Sequence, residues 1–320
     1  MRPPLRRSVA IGAVAVGRSH TARGTECEDA VHVVEGPVTV AAVADGAGTA
    51  RHARRGADTV VRVVAALLRA ELGSLLRGGP LHVREHVLGA VDEAIAAEAD
   101  LLRATARDLA STLIFVAVGH GRFLAGHLGD GMIGARRAGR LEVLSQPVNG
   151  DHANETVFVP TRRGAGDLRL YTGPSANVDG FVLMTDGAMD GLWGVSRDQP
   201  SVRSPAPVIA RWLDALEVAT VADVEQALAE SLLGPVRAVT RDDCGVALVR
   251  SVGLGRLGSA RAYDLLGGGG RKAMRVRGRV ARAWGGAEVD APMAAIARRV
   301  GLSPSTVRRH VDKLRRLGWG

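Results

Sequence analysis

Aspartates stand at the ends of short valine-rich runs throughout the first 250 residues. Asp29 lies in Glu26-Cys27-Glu28-Asp29, just before Ala30 to Val34, and Asp45 follows Val38 to Ala44 and is succeeded by Gly46-Ala47-Gly48. Asp130 precedes Gly131, Asp186 follows Phe181 to Thr185 and precedes Gly187, and Asp242 and Asp243 open the run Cys244 to Arg250. A single Asp-Gly is a common turn signal. Several at strand ends are different, because strand ends of one sheet converge and a carboxylate gathered there needs water or a cation to offset its charge. A following glycine lets the backbone turn sharply or approach a ligand closely. Converging carboxylates suit hard divalent cations such as Mg²⁺ or Mn²⁺, which prefer oxygen ligands. A pair of such ions activates water and stabilises the charge that builds on a phosphoryl group. Asp186 and Asp190 are four apart and share one face if a helix starts at Gly187. His and Cys are sparse around them, which argues against zinc.

The elements that must position these residues fall into blocks. Val9 to Gly17, Ala30 to Val34 and Val38 to Ala44 read as strands bounded by Gly, Pro or charged turns. Arg51 to Leu76 carries Val60, Val64, Leu67 and Leu68 at the spacing of an amphipathic helix, and Val83 to Leu102 repeats that character. Strands return at Ser111 to Val118, Arg122 to Leu128, Gly131 to Arg136, Leu168 to Tyr171 and Phe181 to Met184. Helices at Pro207 to Leu216 and Val221 to Leu233 and a last strand, Cys244 to Arg250, close the region. Blocks of strands with paired helices predict an α+β fold of sheets flanked by helices, not a doubly wound parallel sheet. Because 46% of residues are hydrophobic but only 3% aromatic, the core must be built from closely packed small and branched aliphatic side chains.

The ordered segments Glu28-Asp29-Ala30, Ala44-Asp45-Gly46-Ala47-Gly48, Ser111-Thr112-Leu113, Gly129-Asp130-Gly131, Thr185-Asp186-Gly187 and Arg241-Asp242-Asp243 resemble the metal-dependent Ser/Thr protein phosphatases of the PP2C type, particularly their short bacterial relatives. The resemblance covers residues 9 to 250. It implies a β-sandwich of two stacked sheets flanked by helix pairs, with two or three Mn²⁺ or Mg²⁺ ions in a cleft at one end. Asp45 would bridge two metals, with the carbonyl of Gly46 completing one shell; Asp186 and Asp242 would hold one metal, and Asp29 would act on the other directly or through water. Asp130 and Asp190, with Asp186, would match a weaker third position, and Glu28 would stand behind the ligands. Asp45, Asp186 and Asp242 are thereby the expected catalytic set, for direct in-line attack of metal-activated water on a phosphoprotein. Family members often place a phosphate-gripping arginine five residues before the first aspartate; here Gly24 is at that position, and Arg23 and His20 are the nearby candidates. The stretch Asn149 to Thr156 resembles a loop of the bacterial relatives beside the cleft.

Charge divides the chain. Of the net +9, residues 1–250 carry 27 basic and 29 acidic side chains, whereas residues 271–320 carry 13 basic and 3 acidic ones. So dense a basic block is the footprint of a polyanion-binding module. Between them, residues 251–270 contain Gly253, Gly255, Gly258 and Gly267 to Gly270 and read as a flexible linker. The expected domains are therefore 1–250, the linker 251–270, and 271–320. In the last, a helix of about Lys272 to Trp284 precedes a helix capped at Asp290-Ala291-Pro292 and running to Val300, then Gly301 and a helix Pro304 to Leu317 capped by Ser303. That is the pattern of a helix-turn-helix, and Ala294 to Ala297 with Gly301 to Val307 resemble that family directly. Ser303, Ser305, Thr306, Arg308, Arg309 and Lys313 would face DNA. No room remains before Gly320 for a β-hairpin wing, so affinity should be modest and salt-sensitive.

No apolar run approaches the roughly 18 residues of a membrane-spanning helix, and no membrane association is expected. Two cysteines, Cys27 and Cys244, make no disulfide framework, so a reducing cytoplasm is the default; a redox pair or two buried small residues are the alternatives. Two functions compete: an active phosphoprotein phosphatase with a DNA-binding tail, and a transcriptional regulator whose phosphatase-like domain has become a sensor.

Overall fold

The computed structural model describes residues 5–147, 156–160, 165–195, 203–254, 259–287 and 291–320. In chain order the elements are β1 (Arg6–Ala15), α1 (Arg18–Arg23), β2 (Ala30–Val34), β3 (Thr39–Ala44), α2 (Ala53–Leu102), β4 (Leu113–Gly119), β5 (Arg122–Leu128), β6 (Met132–Arg137), β7 (Arg140–Ser145), β8 (Arg169–Pro174), β9 (Gly180–Met184), α3 (Asp186–Leu192), β10 (Trp193–Val195), β11 (Arg203–Pro205), α4 (Pro207–Val218), α5 (Val221–Ser231), α6 (Arg237–Val239), β12 (Cys244–Gly253), α7 (Ser259–Leu265), α8 (Gly270–Gly285), α9 (Met293–Val300) and α10 (Pro304–Arg316).

Two antiparallel five-stranded sheets stack face to face, in the orders β1-β12-β9-β6-β7 and β2-β3-β4-β5-β8. Their inner faces meet in a layer of small and branched side chains such as Ala41, Val43, Val116, Ala125, Leu183 and Ala247, with Phe123 and Phe181 in contact at 5.1 Å between ring centroids. Both faces of the central strands are buried, which is why β3 and β4 read as continuous apolar runs. The second sheet is covered outside by α2, whose two arms join at Gly79 (φ 79°) with Pro80 next to it. A left-handed glycine followed by proline cannot continue an α-helix, so the run turns into a helix pair there. The first sheet is covered by α3, α4 and α5.

The C-terminal helices α8, α9 and α10 close on Val280, Ala281, Trp284, Ile296, Val300, Val307, Val311 and Leu314, and this apolar cluster is continuous with the one beneath the first sheet. Trp319 is buried and donates from Nε1 to the Leu265 carbonyl at 2.9 Å. Arg7 Nη1 donates to the same carbonyl at 3.0 Å. Gly320 pairs with Arg6 through both backbone groups along the outer edge of β1. Gly318 (φ 87°) lies so close to the carbonyl of Gly36 that a Cβ there would stand 2.3 Å from it. The span expected to be a linker thus holds the end of β12 and the helix α7, with Leu265 and Leu266 in the core. Local glycine content masked those anchors. The helix before the turn is capped at Pro292, and Asp290 lies outside the described residues. Ser303 caps α10, accepting from Thr306 N at 3.2 Å.

Candidate metal and phosphate site

The strand register brings the acidic positions to one end of the sandwich. Ala15 pairs with Cys244, Ala30 with Ala44, Leu113 with Leu128, and Met184 with both Val246 and Met132. The residues just beyond these pairs are Asp29, Asp45, Asp130, Asp186 and Asp242. Carboxylate oxygens of Asp45, Asp130 and Asp186 lie within 4.8 Å of one another. Asp186 opens α3, so Asp190 follows one turn later, and both line a cleft of about 690 Å³ with Asp45, Gly46, Asp130 and Asp242. Gly187 permits this approach: a Cβ there would stand 2.2 Å from the Asp243 carbonyl.

Backbone and hydroxyl donors orient the carboxylates without neutralising them. Asp45 is fixed by Thr112, which accepts from Asp45 N through Oγ1 at 2.8 Å and donates its own N–H to the Asp45 carbonyl at 2.8 Å. Asp186 Oδ1 accepts from Gly187 N at 2.6 Å, and Asp130 Oδ2 from Thr156 Oγ1 at 2.6 Å. Asp130 Oδ1 is buried with no hydrogen-bond partner among the described residues. Asp29 is 1% exposed and accepts from Thr185 Oγ1 at 2.7 Å. Burial, and then the charges of Asp29, Asp186, Asp242 and Asp130, push the Asp45 carboxyl up to about 11. Asp186 is pushed up to about 6, first by burial and then by Asp130 and Asp242. Burial likewise raises Asp29 well above the usual carboxylate range, against the Thr185 hydrogen bond. Such a set of oxygen donors, mutually repelling and with one oxygen orphaned, fits divalent cations.

Asp243, adjacent to the ligand candidates, has a separate role. Its buried carboxylate accepts from Gly17 N and Glu28 N, each at 2.5 Å, and pairs with His20 Nδ1 at 2.9 Å. His20 Nε2 lies 3.6 Å from Glu28 Oε2. His20, expected as a phosphate candidate, is therefore held between two carboxylates and ties the 17–28 loop to the start of β12. Arg23 is exposed and lines the cleft from the end of α1. Arg241 lines it too, a residue that the sequence motif presents only as the neighbour of Asp242. Both thiols are free. Burial first, and then Asp29 and Asp243, raises Cys27, and the same causes push Cys244 up to about 12, so both stay protonated. Except for Thr156, the Asn149 to Thr156 stretch lies outside the described residues.

In the C-terminal module Ser303, Ser305, Arg308 and Arg309 are exposed and Thr306 half-buried. Lys313 is half-buried, and its Nζ donates to the Gly267 carbonyl at 3.1 Å, fastening α10 to the turn before α8. That tertiary contact is invisible in the helix periodicity.

The fold and site define a two-sheet, helix-flanked sandwich with carboxylates gathered at one end of its strands. Residues 16–233 match the sequence profile described as Protein phosphatase 2C. The chain belongs to the protein phosphatase 2C family. Residues 287–319 match a winged helix-turn-helix DNA-binding profile. Among solved structures, the chain is similar to a bacterial serine phosphatase at 13% identity and TM-score 0.53, covering 76% of this chain and 96% of that one. It is also similar to PppA, a key regulatory component of T6SS in Pseudomonas aeruginosa, at 20% identity and TM-score 0.50, covering 77% and 99%. A C. elegans sex determining protein matches at 14% identity and TM-score 0.52, covering 76% and 64%. No curated protein matches the chain. Likeness at these identities speaks for the fold, and no helix is long and apolar enough to cross a membrane among the described residues.

Proposed function

We propose that the chain is a metal-dependent phosphoserine/phosphothreonine protein phosphatase that also binds DNA through its C-terminal module. The observation that carries this reading is the set of uncompensated carboxylates, Asp45, Asp130 and Asp186, facing a cleft at the strand ends of a family member. Asp29, Asp45, Asp186 and Asp242, with the Gly46 carbonyl, would hold two Mn²⁺ or Mg²⁺ ions, and Asp130 and Asp190 a third. Bound cations would supply Lewis acidity towards phosphoryl oxygens and lower the pKa of a water nucleophile. The chain's own residues then orient the substrate: Arg23 and Arg241 at the cleft wall offset phosphate charge, and Thr112 fixes Asp45. The likeness to a bacterial serine phosphatase supports a phosphoserine-bearing substrate.

The test is hydrolysis of p-nitrophenyl phosphate and a phosphothreonine peptide with Mn²⁺, Mg²⁺ or EDTA. Metal-dependent turnover lost in Asp45→Asn and Asp186→Asn supports an enzyme. Absence of turnover with any metal, from folded protein, moves the reading to a regulator with a phosphatase-like sensor, which the glycine at position 24 favours.

A further inference from the structure

We propose that the arginine face of α8 is a second DNA-backbone contact surface, beyond the residues of α10; this rests on the DNA-binding reading above. Arg271, Arg275, Arg279 and Arg282 recur at intervals of four, four and three, and all are exposed. At about 100° per residue they occupy an arc of about 80° and extend about 16 Å along the helix. Val280, Ala281, Ala283 and Trp284 point the other way into the core. A helix needs only a few exposed charges for solubility; four guanidinium groups in one file repel each other unless an external anion sits along them.

Among the described residues, no acidic side chain of the module answers them. Its one ion pair there is Arg315 with Asp312, on α10. Two other basic groups of the module have internal tasks: Arg277 donates to the carbonyls of Leu266 and Gly268, and Lys313 to that of Gly267. Arg271, Arg275 and Arg282 form no ion pair among the described residues. The file is also continuous with the reading helix. Arg279 Nη2 donates to the carbonyl of Val300, at the turn leading to the Ser303 cap, so α8 presents this face beside the N-terminus of α10. Arg299 extends the surface, its guanidinium lying next to Gly286 at the end of α8. A duplex phosphate backbone, a regular line of anions, matches a line of exposed guanidinium groups that carries no base-reading geometry. The added contact strengthens a module whose Trp319 and Gly320 are engaged with Leu265 and the edge of β1.

The experiment is fluorescence anisotropy of the full-length protein with two duplexes of unrelated sequence, from 50 to 200 mM salt. It compares wild type, the triple variant Arg271→Ala/Arg275→Ala/Arg282→Ala, and Arg308→Ala/Arg309→Ala, each checked by circular dichroism. Arg279 is kept because it holds Val300. The expected result is that the triple variant weakens binding to both duplexes alike and lowers the slope of log K against log salt by about 2 to 3, roughly one unit for each phosphate no longer neutralised. Equal affinity and slope in wild type and triple variant, with binding reduced in the α10 variant, overturns the α8 surface and leaves DNA binding standing. Failure of wild type to bind either duplex at 50 mM salt overturns both.

Discussion

Asp45 concentrates the electrostatic problem of this fold, since four other carboxylates raise its proton affinity in a buried setting. Asp45→Asn should lower metal-dependent turnover of p-nitrophenyl phosphate by at least about 100-fold, the order of loss expected when a metal site is impaired. The same residue gives a pH signature in EDTA. A carboxyl whose folded-state pKa is raised binds protons more tightly in the folded than the unfolded chain, so its contribution to stability is greatest at acid pH and falls as pH rises. For Asp186 the window runs from 3.8 to about 6, and for Asp45 from 3.8 to about 11. Urea midpoints in EDTA should therefore fall further for wild type than for Asp45→Asn between pH 5 and 8; parallel midpoints would contradict the assignment. His127 works oppositely. Buried, with Nδ1 on Ser145 Oγ at 2.7 Å, it is pushed down to about 3 by burial and by Arg169. Stability should be lost as pH drops below 6.5, and less so in His127→Gln.

The start of α3 shows how much of the cleft depends on one element. Gly187 lets the helix N-terminus abut the chain at Asp243, and the same turn aims Asp186 and Asp190 into the cleft. Gly187→Ala should cost about 1–3 kcal/mol through overpacking against backbone and weaken Mn²⁺ affinity, measured by calorimetric titration; unchanged affinity would separate the helix from the site. Periodicity anticipated the paired arms of α2 and the central strands because burial on one or two faces imprints a period on the sequence. It missed β7, whose exposed Arg140, Glu142 and Val143 alternate too weakly to signal a strand, and α7, hidden among glycines.

At the scale of the whole molecule, the DNA-binding module and the sandwich share one apolar cluster. Trp319→Ala should cost about 3–5 kcal/mol, as large aromatic deletions from cores do. Heating should unfold wild type in one cooperative transition and the variant in two, by circular dichroism. Cations that bind only the folded chain stabilise it by mass action, about 2.7 kcal/mol at a hundredfold excess over Kd, so saturating Mn²⁺ should raise Tm by roughly 5–10 °C. Asp186→Asn should abolish most of that rise. Arg6 and Gly253 pair at the end of β1 opposite the Ala15–Cys244 pair, so the module's anchors and the acidic cleft lie at opposite ends of that strand. Ten residues of strand separate them by about 30 Å.

Local pattern alone determined the strand-end aspartates, the amphipathic helices and the basic C-terminal block, since each is written within a few residues of chain. Tertiary structure decided which aspartates meet, that Asp243 accepts from Gly17 although 226 positions separate them, that His20 serves carboxylates at two sites, and that Lys313 binds Gly267. Those outcomes depend on sheet register and on contacts between distant segments. A periodicity records which face of an element is buried, but the identity of the partner across that face is set only when the two sheets and the C-terminal helices close on a common core.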